Sequence, residues 1–202
     1  GICDTGAVVR NGCTALVSNG RPEVLGGYGV VDTYMNGRFV VAWEAQNGTD
    51  FDIVTRIFKK DGTPLSPAEI QANTTDGLNE LRPEVAAYDV AGSFVVAWEG
   101  DDPSGRGIFA QFFDGTGAKI GNEKIVNVNT AGHQTDVKAK VLATGDGVLA
   151  WRGSDGNVYA RKYDANGEAL TFSKELVHNA TTLGNQSEPR AAAQGEDGYV
   201  AV

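Results

Sequence analysis

The sequence predicts an all-β protein, a four-bladed β-propeller, from three observations. Tryptophan recurs as Trp43, Trp98 and Trp151, at spacings of 55 and 53 residues. Each copy holds runs such as FVVAWE and GIFAQFFD, rich in β-branched and aromatic residues, with Gly, Asp and Asn between the runs. No segment carries apolar residues at helical spacing over three turns, and four antiparallel strands at this period are typical of propeller blades.

The repeat divides the 202 residues into four units of a single domain. The first three units are expected at about 20–76, 80–130 and 134–181. The fourth is a composite blade, 186–202 plus 1–19, whose paired ends would close the ring and hide its edges. Four full periods exceed the chain length. The composite blade is therefore short, the sequence is incomplete there, or a neighbouring chain supplies a strand.

The first unit differs from the second in length. Arg21–Val24 matches Arg82–Val85 and is expected to open the first strand. Val24 and Trp43 are 19 positions apart, against 13 for Val85 and Trp98, so the extra residues are expected to lengthen the first hairpin.

Charge and the start of the chain exclude some partners. The formal net charge is −9, which would repel phosphates, so no nucleic-acid partner is expected. No run of 18 apolar residues occurs, so no membrane insertion is expected. The chain begins at Gly1 without a basic segment followed by an apolar stretch, which predicts a processed, secreted product.

Cysteines and glycosylation triplets favour an extracellular location. Cys3 and Cys13 are predicted to form a disulfide that closes an exposed hairpin, because no histidine lies near enough in sequence to complete a zinc site. The alternative is two free thiols in a cytosolic protein. Four Asn-x-Ser/Thr triplets are candidate glycosylation sites, which a bacterial-type protein would leave unused: Asn47, Asn73, Asn179 and Asn185.

The repeat itself resembles a known module. The order FVVAWE, GIFAQFFDGTG and VNTAGHQ in the second unit resembles a repeat of very large bacterial surface proteins and adhesins, over nearly the whole chain. A small, free-standing, disulfide-containing version resembles, more weakly, the secreted lectins of marine invertebrates such as sponges. These resemblances imply a propeller at cell surfaces that binds rather than catalyses.

Catalytic motifs do not occur, and no enzyme is expected. The sequence lacks His-Glu-x-x-His, Gly-x-Ser-x-Gly and a phosphate-binding Gly-rich loop with Lys. His133 and His178 lie in separate units and are interpreted as surface or strand residues. Glu44 and Glu99 follow the repeated Trp and would lie around a ring, whereas a glycosidase needs two carboxylates across one bond.

The acidic, Gly-rich loops between second and third strands could supply oxygen ligands to calcium. They hold Asp50, Asp101, Asp102 and Asp155. Calcium takes six to eight oxygens, but no loop matches the full spacing of a calcium-binding loop. Calcium is therefore left open as a cofactor, beside the simpler interpretation of solvated hairpin loops.

Two repeated sets of residues could bind a ligand. The tryptophans either pack in the core or offer an aromatic face to a sugar, with polar neighbours holding its hydroxyl groups. The candidate carbohydrate-binding residues are Trp43, Glu44, Asp50, Trp98, Glu99, Asp101, Asp102, Trp151, Arg152 and Asp155. The second set precedes each first strand and either joins the blades or forms the site instead: Arg21, Arg82, Asp136 and Glu188, with Asn19, Glu80, Gln134 and Gln186 two residues earlier.

Together these features favour a lectin with repeated sites, for galactose-type sugars on cell surfaces or glycoproteins. Weak sites repeated on one scaffold gain avidity for clustered glycans. One alternative is a structural or adhesive cell-surface propeller without a small-ligand site, and another is a glycoside hydrolase. The identity of the sugar and the assembly of several copies are left open.

Overall fold

The computed structural model describes residues 29–74, 79–88, 91–142, 144–170, 176–177, 189, 191–194 and 198–201. The regular elements in these ranges are β-strands, which confirms the all-β class. They form three sheets and one two-stranded hairpin; each sheet has four antiparallel strands, and the second has a short parallel fifth. None of these ranges holds a helix long and apolar enough to span a membrane. The predicted disulfide of Cys3 with Cys13 and the pairing of 1–19 lie outside the described residues.

Strand order follows the chain within each sheet. The first sheet contains β1 (Gly29–Thr33), β2 (Phe39–Asn47), β3 (Asp50–Phe58) and β4 (Ile70–Gln71). The second contains β5 (Leu81–Ala87), β6 (Phe94–Asp102), β7 (Gly105–Phe113) and β8 (Lys119–Ile125), and the short β9 (Gly132–His133) adds a parallel contact to β7. The third contains β10 (Thr135–Val141), β11 (Gly147–Arg152), β12 (Val158–Tyr163) and β13 (Leu176–Val177). The hairpin joins β14 (Ala191–Gln194) and β15 (Gly198–Ala201).

The sheets pack face to face through alternate residues of their second strands. Val96 and Trp98 of β6 belong to a core cluster shared with Val40 and Ala42 of the first sheet. Val95 and Ala97 of β6, with Trp151 of β11, belong to a second cluster shared with the third sheet. Because side chains alternate between the faces of a strand, both faces of the second sheet are buried. In the second and third sheets, the repeated Trp therefore faces the preceding sheet.

The first strand of the first unit is not where the sequence pattern placed it. β1 spans Gly29–Thr33 and pairs with β2 through Val30 with Ala42, whereas Arg21–Val24 lies outside the described residues. The hairpin that follows is as tight as its counterpart in the third sheet, since Tyr34 donates its N–H to Arg38 as Leu142 does to Asp146. The expected lengthening of the first hairpin is therefore wrong.

Two positions around the repeated Trp differ together between the sheets: the residue opposite the Trp and the residue two positions after it. Trp98 pairs across the strands with Phe109, and the ring of Phe109 occupies the space above Gly100, where a Cβ would lie 2.9 Å from Phe109 Cδ2. Trp151, Tyr159 and Gly153 repeat this arrangement in the third sheet, with ring centroids 6.2 Å apart. In the first sheet the opposite residue is Val54, and the position of the glycine holds Ala45. Where the residue opposite the Trp is aromatic, the residue two positions after the Trp is glycine, and where it is Val54, that residue is Ala45. The two changes compensate in volume.

Aspartates close the turns between third and fourth strands. Asp114 Oδ1 accepts hydrogen bonds from Thr116 N and Ala118 N, at 2.8 and 3.0 Å, and Asp164 Oδ1 does the same for Asn166 and Glu168. The hydrogen bond from the Thr116 hydroxyl, aided by the backbone N–H groups, lowers the pKa of Asp114. These Asp residues therefore hold turns.

Candidate functional site at the hairpin end of the sheets

The hairpin end is the edge where second and third strands join, at residues 47–50, 102–105 and 152–158. Two of the tryptophans expected there are core residues. Trp98 and Trp151 are both 0% exposed, so neither presents a face to a sugar. Trp43 is half-buried and packs beside Phe39, Val41 and Phe58 on the same face of its own sheet. The interpretation of Trp98 and Trp151 as sugar platforms is therefore wrong.

Glu99, predicted as a carbohydrate-binding residue, lies instead at the centre of a buried charged network. Its side chain is 0% exposed, and its carboxylate lies 3.2 Å from Arg82 Nη1 and 3.7 Å from Arg106 Nη1. Arg106 also approaches Asp101, with Nε and Oδ1 3.9 Å apart. A buried carboxylate needs such partners because its desolvation is costly. Glu99 is thus unavailable to a ligand, while Arg82, Arg106 and Asp101 remain partly exposed above it.

The glutamate after the Trp also joins the first sheet to the second and the second sheet to the third. Asp136 donates its N–H to Glu99 Oε1 at 2.8 Å, and Arg82 donates its N–H to Glu44 Oε1 at 2.7 Å. Both donors occupy the left-handed region, with φ of 52° for Arg82 and 59° for Asp136. Both also lie where the pairing of first and second strands shifts register. The prediction that this repeated set lies at junctions between units is confirmed for Arg82 and Asp136.

The charges of this junction are reversed from one sheet to the next. In the second sheet, the first-strand residue Arg82 pairs with Glu99, which follows the Trp. In the third sheet, the equivalent residues are Asp136 and Arg152, with Oδ2 and Nη1 3.9 Å apart. The side chains of Asp136 and Arg152 are 37% and 34% exposed. The hairpin end therefore offers both guanidinium donors and carboxylate acceptors to solvent.

Two aspartates of the acidic loops accept hydrogen bonds from neighbouring residues of the same hairpin. Asp102 Oδ1 accepts a hydrogen bond from Ser104 N at 2.8 Å. Asp155 Oδ2 accepts from Tyr159 Oη and Asn157 Nδ2, both at 2.7 Å. Burial opposes the shift, but these hydrogen bonds lower the pKa of Asp155. Asp50 is half-buried at the start of β3, opposite Asn47. The carboxylate of Asp101 is partly exposed and faces the Arg106 guanidinium.

The described residues contain no group of three or more His, Cys, Asp or Glu side chains placed to hold a metal ion. His133, on exposed β9, lies at the surface as expected. His178 lies outside the described residues.

Asn73 does not present a glycosylation site. It is 2% exposed; its Oδ1 accepts the N–H of Ile53 at 3.0 Å, and its Nδ2 donates to Asp52 Oδ1 at 2.9 Å. Asn127 repeats this role in the second sheet, where it accepts the N–H of Ile108 at 2.7 Å. Asn73 therefore satisfies a buried strand, and its triplet arises from a structural repeat. Asn47 is exposed, and Asn179 and Asn185 lie outside the described residues.

Comparisons with known proteins place the chain only at the level of fold. No family model and no curated protein matches it. A protein of unknown function from Dyadobacter fermentans is similar in structure, with a TM-score of 0.59 and 14% identity over 81% of this chain and 44% of that protein. The Hadza microbial sialidase Hz136 gives a TM-score of 0.50 and 13% identity over 70% of this chain and 35% of the sialidase. The chain thus spans less than half the length of either protein.

Proposed function

We propose that the chain is a four-bladed propeller that binds carbohydrate at its hairpin end. The observation that carries this proposal is the network of Arg82, Arg106, Asp101, Asp136 and Arg152, all partly exposed at one edge of two adjacent sheets. Planar guanidinium and carboxylate groups can donate to and accept from neighbouring sugar hydroxyls. The proposed site is therefore a polar surface at the junction between units, and not the aromatic surface that the sequence suggested.

Apolar faces on the first and third sheets support closure of the ring. The first sheet carries Phe39, Val41 and Trp43 on the face that the other two sheets bury against a preceding sheet. At the other end of the row, Val148 and Ala150 of the third sheet form a cluster next to the β14–β15 hairpin. A fourth sheet that covers both surfaces would close the ring and remove the free edges.

The same proposal includes an extracellular location and glycans of cell surfaces as partners. On this proposal neither repeated glutamate hydrolyses a glycoside; Glu99 is buried and paired with two arginines. A glycosidase acid or nucleophile must reach its substrate. The alternative of a hydrolase, prompted by the sialidase likeness in fold, is tested with chromogenic glycosides. Turnover abolished by Glu44→Gln would overturn this exclusion.

The binding test uses a triple variant, Asp101→Asn with Asp136→Asn and Arg152→Gln. Each side chain is between 34% and 39% exposed, so the changes should leave the fold intact. We expect at least a tenfold loss of signal on a glycan array, measured with and without a calcium chelator. The matched control is Glu168→Gln, in the turn at the opposite end of the third sheet, whose side chain is 76% exposed. Unchanged glycan binding by the folded triple variant would refute this site, and no binding by the parent would favour a structural module.

A further inference from the structure

A buried glutamate lies at the junction of the first and second sheets without a complete set of partners. Glu80 is 3% exposed, and its N–H donates to the carbonyl of Phe51 in β3 at 3.1 Å. Its Oε2 is buried and makes no hydrogen bond within the part of the chain that the structure describes. An ionised carboxylate in such a position would carry a large desolvation penalty.

The next junction shows what this position requires. Gln134 is equivalent to Glu80, because each lies two residues before the left-handed residue, and its N–H donates to the carbonyl of Arg106 at 2.8 Å. Gln134 is 1% exposed and neutral; its Nε2 donates to the Ala131 carbonyl at 3.1 Å, and its Oε1 accepts from Asn127 Nδ2 at 3.4 Å. The junction therefore accommodates a neutral side chain that both donates and accepts, which a protonated glutamate imitates and a carboxylate does not.

The charges that face Glu80 are mostly negative on both sides of the junction. Asp52 and Asp50 come from β3, and Glu123 comes from β8. Asp52 is 1% exposed and Glu123 is held by the hydroxyl and N–H of Thr74. Lys119 is the cation that acts on Glu123, and its Nζ donates to the Asn73 carbonyl at 3.4 Å.

Burial, together with the carboxylates of Asp52, Glu123 and Asp50, raises the pKa of Glu80 from 4.5 to about 8. We propose that Glu80 is a proton-dependent latch between the first and second sheets, closed as the neutral acid and loosened when the side chain ionises. The junction of the second and third sheets lacks this latch, since Gln134 cannot ionise.

The sign of the pH dependence follows from proton binding. Between the ordinary pKa and the raised one, the folded chain keeps a proton that the unfolded chain has lost. The contribution of Glu80 to stability is therefore complete below about pH 4.5, declines as the pH rises, and is lost once the pH passes about 8.

The test compares the full chain, Glu80→Gln and Gln134→Glu by urea unfolding between pH 5 and pH 9. We expect the unfolding equilibrium constant of the parent, relative to that of Glu80→Gln, to increase at least a hundredfold across this range. Gln134→Glu should acquire a second decline of the same sign. The comparison between variants removes the titration of groups common to all three chains.

The protonation state is measured directly by carboxyl ¹³C NMR of the parent protein, which does not depend on whether any variant folds. A Glu80 carboxyl that titrates above pH 7 supports the latch, and one that titrates below pH 5.5 overturns it. Equal pH slopes for the parent and Glu80→Gln would also overturn it. Hydrogen exchange of the Glu80 and Arg82 amides locates the loosening. At pH 9 these amides should exchange faster than the rise in their intrinsic exchange rate with pH accounts for.

Discussion

Replacement of Glu99 by alanine is expected to be among the most destabilising single changes at the hairpin end. The change removes a fully buried carboxylate from Arg82 and Arg106 and leaves the N–H of Asp136 without its acceptor. Breaking a buried charged pair costs about 3–5 kcal/mol, and an unsatisfied buried N–H costs about 1–3 kcal/mol. The side chain of Arg82 is 54% exposed and that of Arg106 is 25% exposed, so water replaces part of what they lose. A net loss of about 3–4 kcal/mol is therefore expected.

The matched variant is Glu44→Ala, at the equivalent position of the first sheet. Glu44 also accepts an N–H from the next sheet, that of Arg82, but it is only half-buried and its donor lies at the surface. Its removal should cost about 1 kcal/mol, because water can take its place. Glu99→Gln should fall between the two, since the amide oxygen keeps the hydrogen bond from Asp136 while the charge is lost.

The assay is urea unfolding at pH 7 and 25 °C, followed by tryptophan fluorescence, with Trp98 close to the altered side chain. A fit with unchanged m-values is required, so that the shift in midpoint reports stability. If Glu99→Ala and Glu44→Ala cost the same amount, burial of the network does not decide its energy and the reasoning fails. The same conclusion would follow if Glu99→Gln were as harmful as Glu99→Ala.

Two further predictions concern packing and turns. Gly153→Ala should cost about 2–3 kcal/mol in the same assay, because its new methyl group would lie 2.5 Å from Tyr159 Cε2 and 2.8 Å from Asp155 Oδ1. Addition of Tyr159→Val should recover the part of this cost that comes from the ring. Asp114→Ala should lower the melting temperature at pH 7. Because hydrogen bonds lower the pKa of Asp114 in the folded protein, its stabilisation is present above the ordinary pKa and is lost as the pH falls through the folded value. The difference from the parent should therefore shrink at pH 2, and a constant difference would contradict this account.

The strands could be predicted from the sequence because alternation of apolar residues marks them directly. The run SFVVAWE became β6, Phe94–Asp102, and GIFAQFFD became β7, Gly105–Phe113. The first strand of the first sheet was misplaced because Arg21–Val24 resembles Arg82–Val85. Register depends on hairpin geometry, and counting back from Trp43 by the spacing between Leu142 and Trp151 would have found Tyr34 and hence β1.

The site could be predicted only in part, because the alternation of apolar residues along a strand does not show what covers each face of its sheet. Glu99 points away from the face of Trp98, which suggested solvent, but a third sheet covers the second face as well. A polar residue that follows an apolar run is exposed in a sheet with one buried face and buried in a sheet between two others. Arg106, which neutralises Glu99, could not be linked to it because the pairing depends on the hairpin register.

Paired changes between sheets distinguish structural positions from positions available to a ligand. Arg82 with Glu99 becomes Asp136 with Arg152, so the ion pair survives the reversal of its charges. Asp101 does not follow this rule, because the first and third sheets hold Gln46 and Ser154 two residues beyond their own post-Trp positions. If the proposed carbohydrate site includes Asp101, then among the three described sheets it would lie only at the junction of the second and third, and these sheets would offer unequal sites. Binding by a single chain and agglutination of cells are separate properties in that case, since agglutination needs two strong sites on one particle. A chain with one strong site would bind on an array yet agglutinate only when several copies assemble.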